Sequence, residues 1–248
     1  MNGKQLIEHL RESVLDDNVI PYLWSDQELL RLLNYAEVQA CRRAHLIVDA
    51  TTANDSGTAA TASTAGQRPL CVLAIVANQA VYELSPKILQ VKRLQFRSMA
   101  YALPISPVRY PELDEIIPDW FGTAGTVSSS GSGGYPDCFL NEPGNTITFV
   151  RAPSANDTAS LIVVRIPLVS FDCQTSPEID EKYHIDLCDW AAHLAYMKPD
   201  SETLNLNLAK FYEDRFEKKF GPLPDAYSVR MRKVLAQRTR MRSREFGS

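Results

Sequence analysis

Hydrophobic positions recur at helical spacing toward both ends of the chain and in strand-like runs between them. Near the start, Leu6, Ile7, Leu10 and Val14 share one helical face, which predicts a short amphipathic helix over 4–16 that dissolves at Asp16-Asp17-Asn18. Pro21-Tyr22-Leu23-Trp24 reads as extended chain. Ser25 followed three residues later by Glu28 is a capping-box signature, in which the hydroxyl accepts an early helical N–H and the carboxylate reaches back to the cap. A helix is therefore predicted from Ser25 to about residue 49, with Leu29, Leu33, Ala36, Ala40, Ala44 and Ile47 along one stripe.

Residues 51–68 are small, polar and aperiodic, as a flexible loop requires. Strand-like runs follow at 71–76, 81–84 and 88–96, separated by the turn signals Asn78-Gln79 and Ser85-Pro86. A short helix is predicted around 113–117, stopped by Pro118. A Gly/Ser-rich loop spans 122–134. Further strands are predicted at 137–140, 146–150 and 161–166, the first two joined by a hairpin turn at Asn141-Glu142-Pro143-Gly144-Asn145. About six strands suffice for a small antiparallel sandwich or curled sheet.

Helical periodicity returns with Ser176 as N-cap and Pro177 at the first helical position, carrying Ile179, Tyr183, Leu187, Trp190, Leu194 and Met197 on one stripe up to Lys198-Pro199. A second helix from about Ser201 carries Leu204, Leu208, Phe211 and Phe216 and stops at Gly221-Pro222, so that the two form an antiparallel hairpin. The fold class is α+β: a helical bundle from the N- and C-terminal segments with an inserted antiparallel, sandwich-like β-rich domain. Its parts are the N-terminal helices at 1–50, a flexible loop at 51–70, the β-rich domain at 71–172, the helical hairpin at 173–225 and a basic arm at 226–248.

Charge changes this picture at one place. The chain carries a net −4, yet from Ala226 onward Arg230, Arg232, Lys233, Arg238, Arg240, Arg242 and Arg244 stand against Glu245 alone, leaving a strongly acidic remainder. A basic arm beside an acidic body seeks an acidic partner, either nucleic acid or an acidic protein surface; a solvated tail with no specific partner fits the same composition. The few apolar residues of this arm (Met231, Val234, Leu235) make any helix there depend on a partner surface. The last four residues, Glu245-Phe246-Gly247-Ser248, look like a cloning remnant and receive no role.

The search for chemistry returns little. Cys41, Cys71, Cys138, Cys173 and Cys188 are odd in number, scattered and never in a CxxC pair, which predicts thiols in a reducing compartment rather than a disulfide framework or a zinc ribbon. The amphipathic N-terminus lacks the apolar run of a signal peptide and no segment approaches a membrane span, so a soluble protein made in the cytoplasm is expected. There is no GxSxG elbow, P-loop, GxGxxG or HExxH, and the glycines at 122–134 lack the Lys-Ser/Thr ending of a phosphate cradle. His184 and Cys188 would share a helix face but His193 would point away, and the adjacent carboxylate pairs Asp114-Glu115 and Asp180-Glu181 diverge on a helix, so no metal, cofactor or catalytic set is assigned. Trp24, Trp120 and Trp190 read as structural anchors rather than ligand platforms, together with the Ser25 and Glu28 cap.

In their order, LWSDQELLRLLNYAEVQACRRAHLI (23–47), VYELSPKILQVKRLQF (81–96), LDEIIPDW (113–120), YPDCFL (135–140), ITFVRAPS (147–154) and LIVVRIPL (161–168) resemble the head-to-tail adaptor proteins of tailed bacteriophages, also called connector or tail tubular proteins. The resemblance covers most of 20–220 and lies in the order of the motifs, each of which also has a plain structural reading. It implies a structural virion protein, not an enzyme. The copies are expected to form a dodecameric ring at the head-to-tail junction, between the portal protein and a tail or nozzle protein, with genomic DNA passing through the lumen. It also implies a C-terminal arm that docks on the portal, here the arm bearing Arg230 to Arg244. The alternative is a DNA-binding module acting through the same basic tail, whose affinity would fall steeply with salt. An enzyme with a non-standard site stands third.

Overall fold

The computed structural model describes residues 1–55, 68–98, 105–108, 113, 115, 136, 138–142, 145–200 and 203–225. The basic arm, Trp120, the loop at 122–134, most of the loop at 51–68, and the helix at 113–117 apart from Leu113 and Glu115 lie outside the described residues. The chain divides into two compact units. One joins Met1–Ile47 to Arg165–Pro224, and the other is built from Val48–Val164.

The helical unit begins with α1 (Gly3–His9), started by a complete capping box: Asn2 Oδ1 accepts the Gln5 N–H at 2.9 Å and Gln5 Oε1 accepts the Asn2 N–H at 3.0 Å. Gly3 is needed for packing, because its N–H donates to the Thr175 carbonyl at 2.9 Å and a Cβ here would overlap the carbonyl of Asp172. The helix runs on as a π-helical stretch, Leu10–Leu15, and is closed by Asp16 in the left-handed conformation at φ 52°. The Val14 carbonyl at its end accepts the hydroxyls of Tyr212 at 3.1 Å and Tyr196 at 3.4 Å.

Helix α2 (Asp26–Ala44) starts where its cap predicts, with the Ser25 hydroxyl accepting the Glu28 N–H at 3.2 Å. The other half of the box is absent: the Glu28 carboxylate pairs instead with Lys198 Nζ at 3.2 Å. Leu29, Leu33, Ala36 and Ala40 are fully buried, but the helix ends at left-handed His45 (φ 54°), short of residue 49. The β-branched pair Ile47-Val48 then enters a strand, β1 (Ile47–Asp49).

The C-terminal half departs further from expectation. Ser176-Pro177 starts no helix, because the Glu37 carboxylate of α2 takes the N–H groups of Glu178 and Ile179, and Asp180 then caps a single 3-10 turn, Glu181–Tyr183. Regular helix resumes as α3 (Leu187–Tyr196). After it, Asn205 rather than Ser201 caps α4 (Leu206–Phe220), accepting the Leu208 N–H at 3.2 Å, and Gly221 ends that helix at φ 84°. Helices α3 and α4 are antiparallel, since Tyr183 meets Phe220, Trp190 meets Phe216 and Tyr196 stacks on Tyr212, the rings lying 5.1 to 5.9 Å apart. The unit's core includes Leu6, Leu10, Trp24, Leu29, Leu33, Leu187, Ala191 and Phe216.

The strand unit holds β2 (Val72–Ile75), β3 (Val81–Glu83), β4 (Ile88–Phe96), β5 (Ser106–Val108), β6 (Cys138–Glu142), β7 (Thr146–Phe149) and β8 (Asp157–Arg165). One four-stranded sheet has the order β1-β8-β2 with β4 also on β8; the other has the order β3-β7-β6-β5. The strands β1 and β5 were not expected, being too short for periodicity to show. The pairing of β5 with β6 is parallel, with Ser106 opposite Cys138, so the second sheet is mixed rather than purely antiparallel. Pro107 is tolerated because β5 is an edge strand. On the second sheet Phe139 lies opposite Phe149 in register, and Phe96 of the first sheet meets Phe149 at 5.6 Å between ring centres. The Tyr82 hydroxyl of β3 donates to the carbonyl of Val76 just past β2, tying the two sheets at a second point. Cys138 and Leu140, on the other face of β6, pack with Leu113 and Val150.

Candidate assembly surface

The most unusual feature of the helical unit is apolar chain held in water by a buried ionic frame. Between the π-helical stretch and α2 run Val19, Ile20, Pro21, Tyr22 and Leu23; Val19 is 78 % exposed, Ile20 77 %, Tyr22 46 % and Leu23 44 %. Beneath them Arg11 is buried and reaches Asp17 at 2.6 Å, Asp26 at 2.7 Å and the Trp24 carbonyl at 2.9 Å. Asp17 accepts the N–H groups of Leu23 at 3.0 Å and Trp24 at 3.4 Å, and the Arg11 guanidinium lies 3.8 Å from the centre of the Tyr22 ring. The ion pair and cation–π contact fix both ends of a short segment whose side chains face outward. Four exposed apolar side chains within five residues form a patch of the kind that contact surfaces carry.

A second apolar group lies at the α3–α4 connection. Met197, Leu204, Leu206, Leu208 and Phe211 are all exposed, Leu206 at 65 % and Phe211 at 53 %. Both groups sit at the same end of the helical unit: Trp24, directly after the first, packs edge-on to Tyr196, directly before the second, with ring centres 6.1 Å apart. Lys198 reaches Glu28 of α2 there, and the Asn205 N–H donates to the Tyr196 carbonyl at 3.0 Å.

The anchors expected from sequence fall as follows. Trp24 is 2 % exposed and its indole N–H has no hydrogen-bond partner among the described residues. Ser25 caps α2 and Glu28 holds Lys198. Trp190 sits 5.1 Å from Phe216 and 4.7 Å from the guanidinium of Arg43, which donates to the Gly221 carbonyl at 3.1 Å and so joins α2 to the end of α4. Trp120 and the arm residues Arg230, Arg232, Lys233, Arg238, Arg240, Arg242 and Arg244 lie outside the described residues. Periodicity does not reveal Arg11, Asp17 or Glu37. The available signal was a charged residue at a position where the helical stripe demands an apolar one, Arg11 beside Leu10 and Glu37 four residues after Leu33.

The buried histidines, cysteines and Glu37 of this unit are part of its packed interior. His184 Nε2 meets the Ile179 carbonyl at 3.0 Å and its Nδ1 the terminal amine of Met1 at 3.2 Å; His193 Nδ1 meets the Ala209 carbonyl at 2.9 Å. Burial and neighbouring carboxylates push the thiols of Cys41 and Cys188 up to about 12, away from nucleophilic chemistry. Glu37, 1 % exposed, is pushed up to about 7 by burial, against the two backbone N–H groups it accepts. Among the described residues no group of three His, Cys, Asp or Glu side chains has the arrangement of a metal site, and no helix is long and apolar enough to cross a membrane. An open cleft of about 790 Å³ beside α1, lined by Lys4, Glu8, Arg11, Glu12 and Asp26 together with Ile7, Tyr22 and Cys173, is mixed in polarity and in charge.

Compared with known families, residues 1–243 match the family described as SU10 adaptor protein. The comparison with curated proteins returns no match.

Proposed function

Because this chain belongs to the SU10 adaptor protein family, a family of phage structural adaptors as the order of its motifs suggested, we propose that it assembles into a dodecameric ring at the head-to-tail junction of the virion. The ring joins the portal to a tail or nozzle protein and encloses the channel through which genomic DNA passes. In this reading the helical unit is the ring body, the strand unit is a sandwich-like insertion facing the next tail component, and the arm from Tyr227 to Arg244 docks on the portal. The chain is made in the host cytoplasm and ends in the virion, and it works by contact, with no catalytic or cofactor chemistry.

The observation that carries the proposal is the match over 1–243, which takes in both units and most of the arm. The exposed apolar groups of the helical unit support it, since such surface is stable when covered by another protein. The basic arm also favours a second reading, a DNA-binding module acting through Arg230 to Arg244. Truncation after Asp225 separates the two. Loss of portal capture with DNA affinity nearly unchanged is the adaptor result; loss of salt-sensitive DNA affinity with portal capture intact overturns it.

A further inference from the structure

We propose that the face of β4 bearing Arg93 and Arg97, with Lys92 beside them on the same strand, is a contact surface for the phosphate backbone of duplex DNA. The inference rests on the ring reading of the preceding section for its place in the virion, where this face borders the DNA channel; the contact itself belongs to the strand unit.

The chain is acidic, yet from Leu84 to Pro111 it carries Lys87, Lys92, Arg93, Arg97 and Arg109 and no acidic residue. The strand β4 runs through this stretch. Leu94 and Phe96 turn inward, fully buried, and Phe96 meets Phe149 of the second sheet. By the alternation of a strand, Arg93, Gln95 and Arg97 share the opposite face, away from the second sheet. Two hydrogen bonds bear this out: Arg93 Nη2 donates to Gln95 Oε1 at 3.0 Å, and Arg97 Nε donates to Ser160 Oγ on β8 at 3.2 Å. The Arg97 N–H donates to the Thr158 carbonyl at 2.8 Å, which fixes its backbone on the sheet.

Lys92, Arg93 and Arg97 are exposed, and none of them forms an ion pair among the described residues. The carboxylates of this sheet are turned to backbone instead. Asp49 is buried and accepts the N–H groups of Thr51 and Thr52, and Asp157 accepts those of Ser98 and Thr158. A solvated sheet face ordinarily mixes the two signs, whereas here each guanidinium meets a neutral side chain and keeps most of its N–H donors for another partner. Neither β4 nor β8 carries a large exposed apolar side chain that could form the desolvated centre of a protein–protein contact. Arginine beside glutamine and serine is instead the chemistry that meets phosphate oxygens, with the guanidinium fork matching two of them at once. Such contacts carry no sequence information and weaken with salt, so they guide a duplex that must move past them.

The test is duplex binding by the full chain, read by fluorescence anisotropy of a labelled DNA of arbitrary sequence from about 50 to 200 mM salt. Arg93→Gln with Arg97→Gln should make the slope of log affinity against log salt shallower by about 2, because each lost phosphate contact removes about 0.9. Arg93→Lys with Arg97→Lys should keep the wild-type slope. Arg68→Gln with Lys182→Gln removes the same charge from two cations already paired with Glu83 and Asp180, and should leave the slope unchanged. The basic arm is present in every chain, so the difference between chains reads β4 alone, and equal thermal melts show that each variant is folded. A slope that changes equally in the two glutamine variants, or in neither, overturns the proposal. Loss of portal capture by Arg93→Gln with Arg97→Gln at an unchanged slope also overturns it and assigns the face to an acidic protein surface. Electron microscopy of the same samples scores the ring separately: a changed slope without rings upholds the DNA contact and removes its place at the channel.

Discussion

Three buried charged residues, Glu37, Arg11 and Asp17, decide much of the local structure. Glu37 stands in the apolar stripe of α2, and its carboxylate holds the backbone of Glu178 and Ile179, with the Arg165–Glu178 ion pair alongside. Burial holds its pKa near 7 against an ordinary value of 4.5, so the folded chain favours the neutral acid. The stability this contributes is fully present below about pH 4.5 and is lost as pH rises through about 7, a span on the order of 3 kcal/mol. Urea unfolding at about pH 5 and about pH 8 should show wild type losing that much more than Glu37→Gln, whose amide keeps the acceptor oxygen without titrating. Equal pH dependence in the two proteins would contradict the assignment. Arg11 and Asp17 form the other buried pair, 2.6 Å apart. Arg11→Leu strands the Asp17 charge and should cost about 3 to 5 kcal/mol, whereas Arg11→Leu with Asp17→Leu should cost clearly less than the two single changes summed. Additive losses in a denaturation cycle would show that the two residues do not act as a pair.

Elements were legible where one local signal set their limits. Ser25 is the clearest case: its hydroxyl caps α2, and Ser25→Ala should lower stability by about 1 kcal/mol while Ser25→Asp is tolerated, as read from thermal melts. Gly221 likewise ends α4, and the strand expected over 88–96 forms in full as β4. Signals failed where a distant side chain overrode them. Ser176-Pro177 is a good helix start by local rules, yet Glu37, far away in sequence, takes the N–H groups that would open that helix. The parallel β5–β6 pair was hidden because a three-residue strand containing Pro107 has too little pattern to read. The candidate surface is only half visible in the sequence: of Leu204, Leu208, Phe211 and Phe216, the apolar residues that the pattern places on the second helix, the first three are exposed, while Ala209, Phe216 and Phe220 turn inward. Periodicity identifies an apolar face without saying whether the same chain or another one covers it.

For the molecule as a whole, the order of helices, strands and helices is plain in the sequence, and the elements of the structure follow that order. What joins one copy to the next was not plain, because assembly depends on surface that a single chain leaves exposed. A helical unit with two apolar groups at one end, in a chain matching the SU10 adaptor family over 1–243, is expected to be complete only when its neighbours are present. Burying those groups in a ring would offset the cost of exposing them in the free chain. The most direct measurement of the central claim is cryo-electron microscopy of the full-length chain purified with its portal. The account expects a closed dodecameric ring seated on the portal; a chain that remains monomeric and never associates with the portal ring would contradict it.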